Sequence, residues 1–138
     1  MDIQVSWLAV VLATLSSMVV GSIWYAKPVF GNAWIKLARL DEKNMANPVV
    51  AIGLTLVVSF LTAFVVAHVT QLSNAYFHNS FLQDALTTGF WLWLGLVAAR
   101  FITHDAFENR PWKLTLMNIS HEFVTIMIMA LIIGLLKP

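Results

Sequence analysis

Apolar residues run almost unbroken through four stretches of the chain, at about 5–26, 49–72, 85–104 and 114–136, and polar residues gather between them. A helix rising 1.5 Å per residue needs about 20 mostly apolar residues to cross a bilayer's hydrocarbon. Each stretch is long enough to cross once. Two connections are short, which predicts antiparallel neighbours. The remaining one, 27–47, carries its own pattern: Phe30, Trp34, Leu37 and Leu40 recur at steps of three and four, with Lys36, Arg39 and Lys43 elsewhere on the wheel. That predicts a short amphipathic helix over about 30–42, lying in the membrane interface as an anchor or a lateral gate. Pro28 breaks it from the first span, and Pro48 suits the first turn of the second. The expected fold is all-α: a single membrane domain over 1–138, an integral membrane four-helix bundle with one interfacial helix between helices 1 and 2.

Polar and small residues inside the spans carry the next layer. Span 1 repeats Ala9, Ala13, Ser17 and Gly21 on one face, which lets another helix of the same subunit or of a neighbour approach closely. Span 2 repeats the theme with Ser59, Ala63 and Ala67, and carries His68, expected to hydrogen-bond another helix. Gly95 and Ala99 offer a further contact face on span 3. In span 4, Thr115, Asn118, Glu122 and Thr125 are spaced three, four and three, with His121 beside them and Met129 beyond. Such a stripe on an apolar helix faces protein or a water-filled cavity, not lipid.

Glu122 lies about ten residues in from Asn109–Pro111, near mid-membrane, where a carboxylate pairs or takes a proton. Arg100 is the expected partner. In a hairpin turning near Glu108 the axial gap is about 9 Å, and the two side chains lean toward each other. The pair reads either as a tie fixing helix register or as part of a proton or ion relay through Glu122, His121 and Arg100. Ligand or headgroup binding is the third reading of this cluster of Arg100, Asn118, His121, Glu122 and Thr125.

Composition fixes the solvent. Of 138 residues, 59% are hydrophobic and 11% charged, against about 25% charged in soluble domains. The net charge of +1 gives no reason to expect nucleic acid or an acidic partner. The chain has no cysteine, which excludes disulfides, thiolate metal sites and cysteine nucleophiles. Lys27, Lys36, Arg39 and Lys43 fall in the first connection and Arg110 and Lys113 in the third, while the second has no lysine or arginine. This predicts both basic connections in the cytoplasm and both termini outside it. Trp24, Tyr25 and Trp112 then mark the inner boundary, and Trp7 and Tyr76 the outer. The first apolar run, 3–26, is too long for a cleaved signal and reads as a retained helix.

A second polar cluster, His104, Asp105, Glu108, Arg110 and Lys113, sits at the inner interface. His104 and Glu108 share a helix face, with Asp105 between them. His121 is about 12 Å deeper, so one ion cannot reach both histidines. No metal-ligand motif, phosphate loop or nucleophile elbow is present. No metal, cofactor or catalytic residue is expected.

One further pattern spans nearly the whole chain. Gly21-x-x-Trp24-Tyr25-x-x-Pro28-x-Phe30-Gly31-x-x-Trp34, then Trp91 and Gly95, then Arg110-Pro111-Trp112-Lys113 with Asn118, resembles the domain-of-unknown-function 1761 family of small bacterial membrane proteins. The resemblance implies a four-helix protein of a prokaryotic inner membrane, with no established activity and no catalytic residues to transfer. Three functional classes stay open. The first is a structural or accessory membrane component held by a buried Arg100–Glu122 tie. The second is a homo-oligomeric channel or transporter for protons or simple solutes along the span 4 stripe. The third is an interfacial lipid binder or membrane enzyme using His104, Asp105 and Glu108. The expected partners are membrane lipid and further copies of the chain.

Overall fold

The computed structural model describes residues 4–41, 43 and 45–138. Ser6 opens the first helix by accepting the Ala9 N–H on its hydroxyl at 3.3 Å, which satisfies one of the donors a helix start leaves free. Helix α1 is Trp7–Trp24, and a π turn, Lys27–Gly31, leads into the short α2, Asn32–Leu37. Then come α3, Pro48–Phe77; α4, Phe81–Leu92; a second π turn, Trp93–Ala98; α5, Ala99–Phe107; and α6, Trp112–Leu135. Helix α4, its π turn and α5 make one continuous rod over Phe81–Phe107. That rod, α1, α3 and α6 are each long and apolar enough to cross a membrane. No strand occurs among the described residues, and the fold is an all-α bundle.

Up-and-down connectivity gives the bundle two unlike ends. Gln71 donates to the Gln4 carbonyl at 2.7 Å, and Val5, Ala67, Phe81, Ile133 and Pro138 border one small cleft. This is the termini end. The other, the basic end, carries the 25–47 connection and the α5–α6 turn.

Two connections differ from expectation. Helix α3 runs on to Phe77 and α4 starts at Phe81, so the turn shrinks to 78–80. Side chains hold it closed. His78 takes a left-handed φ of 56° with its N–H on Asn74 O, Asn74 Nδ2 donates to Asp84 Oδ2 at 2.8 Å, and Asn79 Nδ2 donates to Asp84 Oδ1 at 3.1 Å. At the basic end, the helix expected over 30–42 stops at Leu37, because Arg39 turns left-handed at φ 52°, while the π turn Lys27–Gly31 carries it through residue 30. The expected end at Glu42 lies outside the described residues, as does Ile3 at the start of the first run. The π turn before α2 depends on Gly31: its N–H donates to Ala26 O at 3.0 Å, and a Cβ there would collide with the Tyr25 carbonyl.

Packing is tightest at the termini end. Ala9, Val10 and Ala13 of α1 meet Ala63, Val66 and Ala67 of α3 and Ile126, Met129, Ala130 and Ile133 of α6. The Ser17 and Ser59 hydroxyls meet at 2.8 Å, and Ser17 donates to Thr14 O at 2.7 Å. Ala9, Ala13 and Ser17 of the small-residue face of α1 are therefore buried inside this chain, while Gly21 lies further along, against His121. On α4 the close approach is made by Gly89 and Ala85. A Cβ at Gly89 would stand 2.9 Å from the Ala130 methyl, and one at Gly134 would stand 2.9 Å from Leu82 Cα. Gly95 and Ala99 form no such face: both are exposed, and a Cβ on Gly95 would meet open space. The π turn takes an extra residue per turn and rotates the downstream part of the rod by roughly 100°. His68 also departs from expectation. Its Nδ1 pairs at 2.8 Å with Phe64 O on its own helix rather than crossing to another.

Candidate functional site

From the Ser17–Ser59 contact toward the basic end, the helices part. The first half of α3 stands away from its neighbours, with Val49 77% and Leu54 62% exposed. Between it, α1 and α6 lies a cavity of about 600 Å³. Helix α1 contributes Ser17, Met18, Gly21, Ser22 and Tyr25; α3 contributes Ile52, Leu54, Thr55, Val58, Ser59 and Thr62; α6 contributes His121, Glu122, Thr125, Ile126 and Met129. Because Ile52, Leu54 and Thr55 are themselves exposed, the cavity opens sideways, toward the space a membrane would fill.

Its floor is polar. Residues three and four apart share a helix face, so the regular course of α6 stacks Asn118, His121, Glu122 and Thr125 toward α1. The Tyr25 hydroxyl donates to Asn118 Oδ1 at 3.3 Å, and its ring lies 4.9 Å from the His121 ring. His121 Nδ1 is 3.3 Å from Glu122 Oε1, and its Nε2 is 3.5 Å from Thr125 Oγ1. A neutral imidazole that donates from Nδ1 to the carboxylate accepts the threonine hydroxyl on Nε2, so one tautomer satisfies both contacts. The ring packs over Gly21, where a Cβ would meet Nε2 in ordinary contact at 3.8 Å.

Tyr25 is braced from below by the chain reversal. Trp34 of α2 packs 5.1 Å from its ring, and Phe30 of the π turn lies 4.6 Å from Trp24, itself 5.9 Å from His121. Burial, and secondarily the Glu122 carboxylate, push the Tyr25 phenol up from its ordinary 10 to about 12. It therefore keeps its proton and acts as a donor.

The expected Arg100–Glu122 tie is not formed. Arg100 is exposed and makes no ion pair or side-chain hydrogen bond among the described residues. The π turn just before it adds a residue to the turn, which shifts Arg100 around the rod from where an ideal helix would place it. Trp93 Nε1, donating to Ile119 O at 2.8 Å, holds that turn against α6. Glu122 instead has His121 beside it and a side chain 34% exposed.

The second expected cluster comes together in part. Asp105 is buried and accepts the Thr115 hydroxyl at 2.6 Å, with Arg110 Nε 3.8 Å from its other oxygen. Arg110 also donates to Glu108, and its backbone N–H reaches Asp105 O at 2.9 Å. These groups clip α5 to α6. His104 and Lys113 stay exposed and apart, with Lys113 Nζ 5.9 Å over the Trp112 ring. No group of three or more His, Asp or Glu able to hold a metal forms among the described residues.

Sequence reasoning places Tyr25 only as an interfacial aromatic. Its position one turn after Gly21, on the helix that carries the small-residue face, is the available signal. The buried Asp84 reads from sequence as part of a loop. Its own signal is the Ser80–Asp84 start of an apolar helix, with Asn74 and Asn79 close by in sequence.

Four long apolar helices and a laterally open polar recess define a helical membrane protein. The family model described as "Protein of unknown function (DUF1761)" matches residues 8–134, and the chain belongs to that family. No curated protein and no solved structure matches it.

Proposed function

We propose that this chain is a membrane-embedded binding protein for an amphiphilic small molecule, which enters sideways and seats its polar head on Tyr25, His121 and Glu122. The observation that carries this reading is the cavity of about 600 Å³ with apolar walls, a polar floor and a lateral opening. Ligand sites are typically clefts of this size, mostly apolar, with a few converging polar groups. The opening favours a ligand already dissolved in lipid.

The other readings have less behind them. A structural tie calls for a closed Arg100–Glu122 contact, and Arg100 is exposed. A pathway through one copy calls for polar lining to both ends, and the apolar core of Ala9, Ala13, Ala67, Ala130 and Ile133 stands at the termini end. At the inner interface, Asp105 and Arg110 are engaged with Thr115 and Glu108 in the turn. In the proposed orientation the basic end faces the cytoplasm, by the distribution of lysine and arginine. The cavity then opens in the cytoplasmic half of the bilayer.

Native mass spectrometry after release from nanodiscs tests the reading. The expected result is one stoichiometric adduct of small mass that survives mild activation. A featureless statistical spread of bulk lipid, with no preferred species, would count against a specific site.

A further inference from the structure

The charges around the cavity say which head it takes, an inference that rests on the binding reading above. Glu122 is the one carboxylate in the described lining, and no lysine or arginine side chain joins it there. Its only ion-pair partner among the described residues is His121, whose charge depends on protonation. Arg100 is exposed and has no ion pair among the described residues, Arg110 is engaged by Glu108 and Asp105, and Lys113 lies over Trp112. A third of the Glu122 side chain is therefore open toward the cavity with no fixed positive charge against it. Away from water, a carboxylate in that position gains most from an incoming cation. The Tyr25 ring, lining the same cavity, adds an aromatic face that attracts positive charge. A phosphate or carboxylate head would meet a like charge instead.

We propose that the cavity selects lipophilic cations, with the positive head against Glu122 and Tyr25 and the apolar body along Ile52, Leu54 and Val58.

Two probes of the same shape and opposite charge, tetraphenylphosphonium and tetraphenylborate, test this in nanodiscs of zwitterionic lipid, with binding to empty discs subtracted. The phosphonium should bind saturably and at least about tenfold more tightly than the borate. Glu122→Gln should weaken phosphonium binding about tenfold or more, and Glu122→Asp should retain most of it. If the Gln variant fails to fold, Thr55→Trp at the cavity mouth replaces it and should abolish phosphonium binding. Borate binding as tight as phosphonium, or full phosphonium affinity in Glu122→Gln, overturns the cation assignment while leaving an amphiphile site in place. No saturable binding of either probe, together with no stoichiometric adduct in native mass spectrometry, overturns both.

Discussion

At the termini end, the cleft bordered by Ala9, Ala67 and Ile133 holds only about 10 Å³. At the basic end the same helices α1, α3 and α6 enclose about 600 Å³. Side-chain size accounts for much of the difference. Alanine and glycine at facing positions let backbones approach, and dispersion contacts then close the interface. Toward the basic end, α1 presents Gly21 to a histidine rather than to another small residue, and the first half of α3 has no partner helix on its exposed side. Between α1, α3 and α6 the bundle is thus closely packed toward the termini and open toward the basic end, while a separate cleft of about 580 Å³ lies at the outer edge of the termini end, between the 78–80 turn and Leu135–Pro138. The polar stripe of α6 sits in the open part, where hydration or a ligand can satisfy it, whereas the buried Asp84 at the other end is satisfied by Asn74 and Asn79.

The contrast predicts a graded set of responses. The largest loss should come from Gly134→Ala or Gly89→Ala, whose new methyl meets Leu82 or Ala130 at 2.9 Å or less. Overpacking of this kind costs about 1–3 kcal/mol, read from reversible unfolding in mixed detergent micelles. Gly95→Ala, with open space around it, should lie within about 0.5 kcal/mol of the original protein. Equal losses at Gly89 and Gly95 would erase the distinction between packed and open positions.

Next comes Asp84→Ala. It removes the buried acceptor of the Asn74 and Asn79 amides and should cost about 1–3 kcal/mol in the same assay. Stability unchanged in that variant would show that the 78–80 turn is held by apolar packing alone. Ser17→Ala removes one interhelical hydroxyl contact at the border of the two halves. Polar contacts of this type average about 0.6 kcal/mol in membrane bundles, so a small loss is expected. Arg100→Gln should leave unfolding within about 0.5 kcal/mol, because the side chain is exposed and has no ion-pair partner among the described residues. A loss above about 3 kcal/mol would restore the buried tie that the hairpin geometry suggests.

The hydrophobic pattern makes the four spans legible, because length and apolarity alone decide whether a helix can cross a bilayer. The three-and-four spacing of Asn118, His121, Glu122 and Thr125 likewise places them together on α6 before any fold is known. Arg100 escapes sequence reasoning for a specific reason. Its distance from Glu122 is reckoned along an ideal helix, and nothing in Trp93–Ala98 announces an extra residue per turn. Tyr25 is undervalued because its partner Asn118 lies far away in sequence, and the reversal that braces it depends on the long-range fit of Phe30 and Trp34. The Gly89–Ala130 and Gly134–Leu82 approaches need the relative height of α4 and α6, which composition does not encode. The end of the interfacial helix turns on one left-handed residue, Arg39, of a type that rarely adopts that conformation.

If the open half of the bundle is a binding site, two tryptophan substitutions on α3 should separate its wall from its surroundings. Thr55 lines the cavity mouth, whereas Val57, two residues on and 59% exposed, is absent from the cavity wall. The measurement is the abundance of the stoichiometric small-molecule adduct in native mass spectra of Thr55→Trp and Val57→Trp, prepared side by side with the original chain. Thr55→Trp should lose the adduct and Val57→Trp should keep it. Loss in both variants, or retention in both, would contradict a site between α1, α3 and α6.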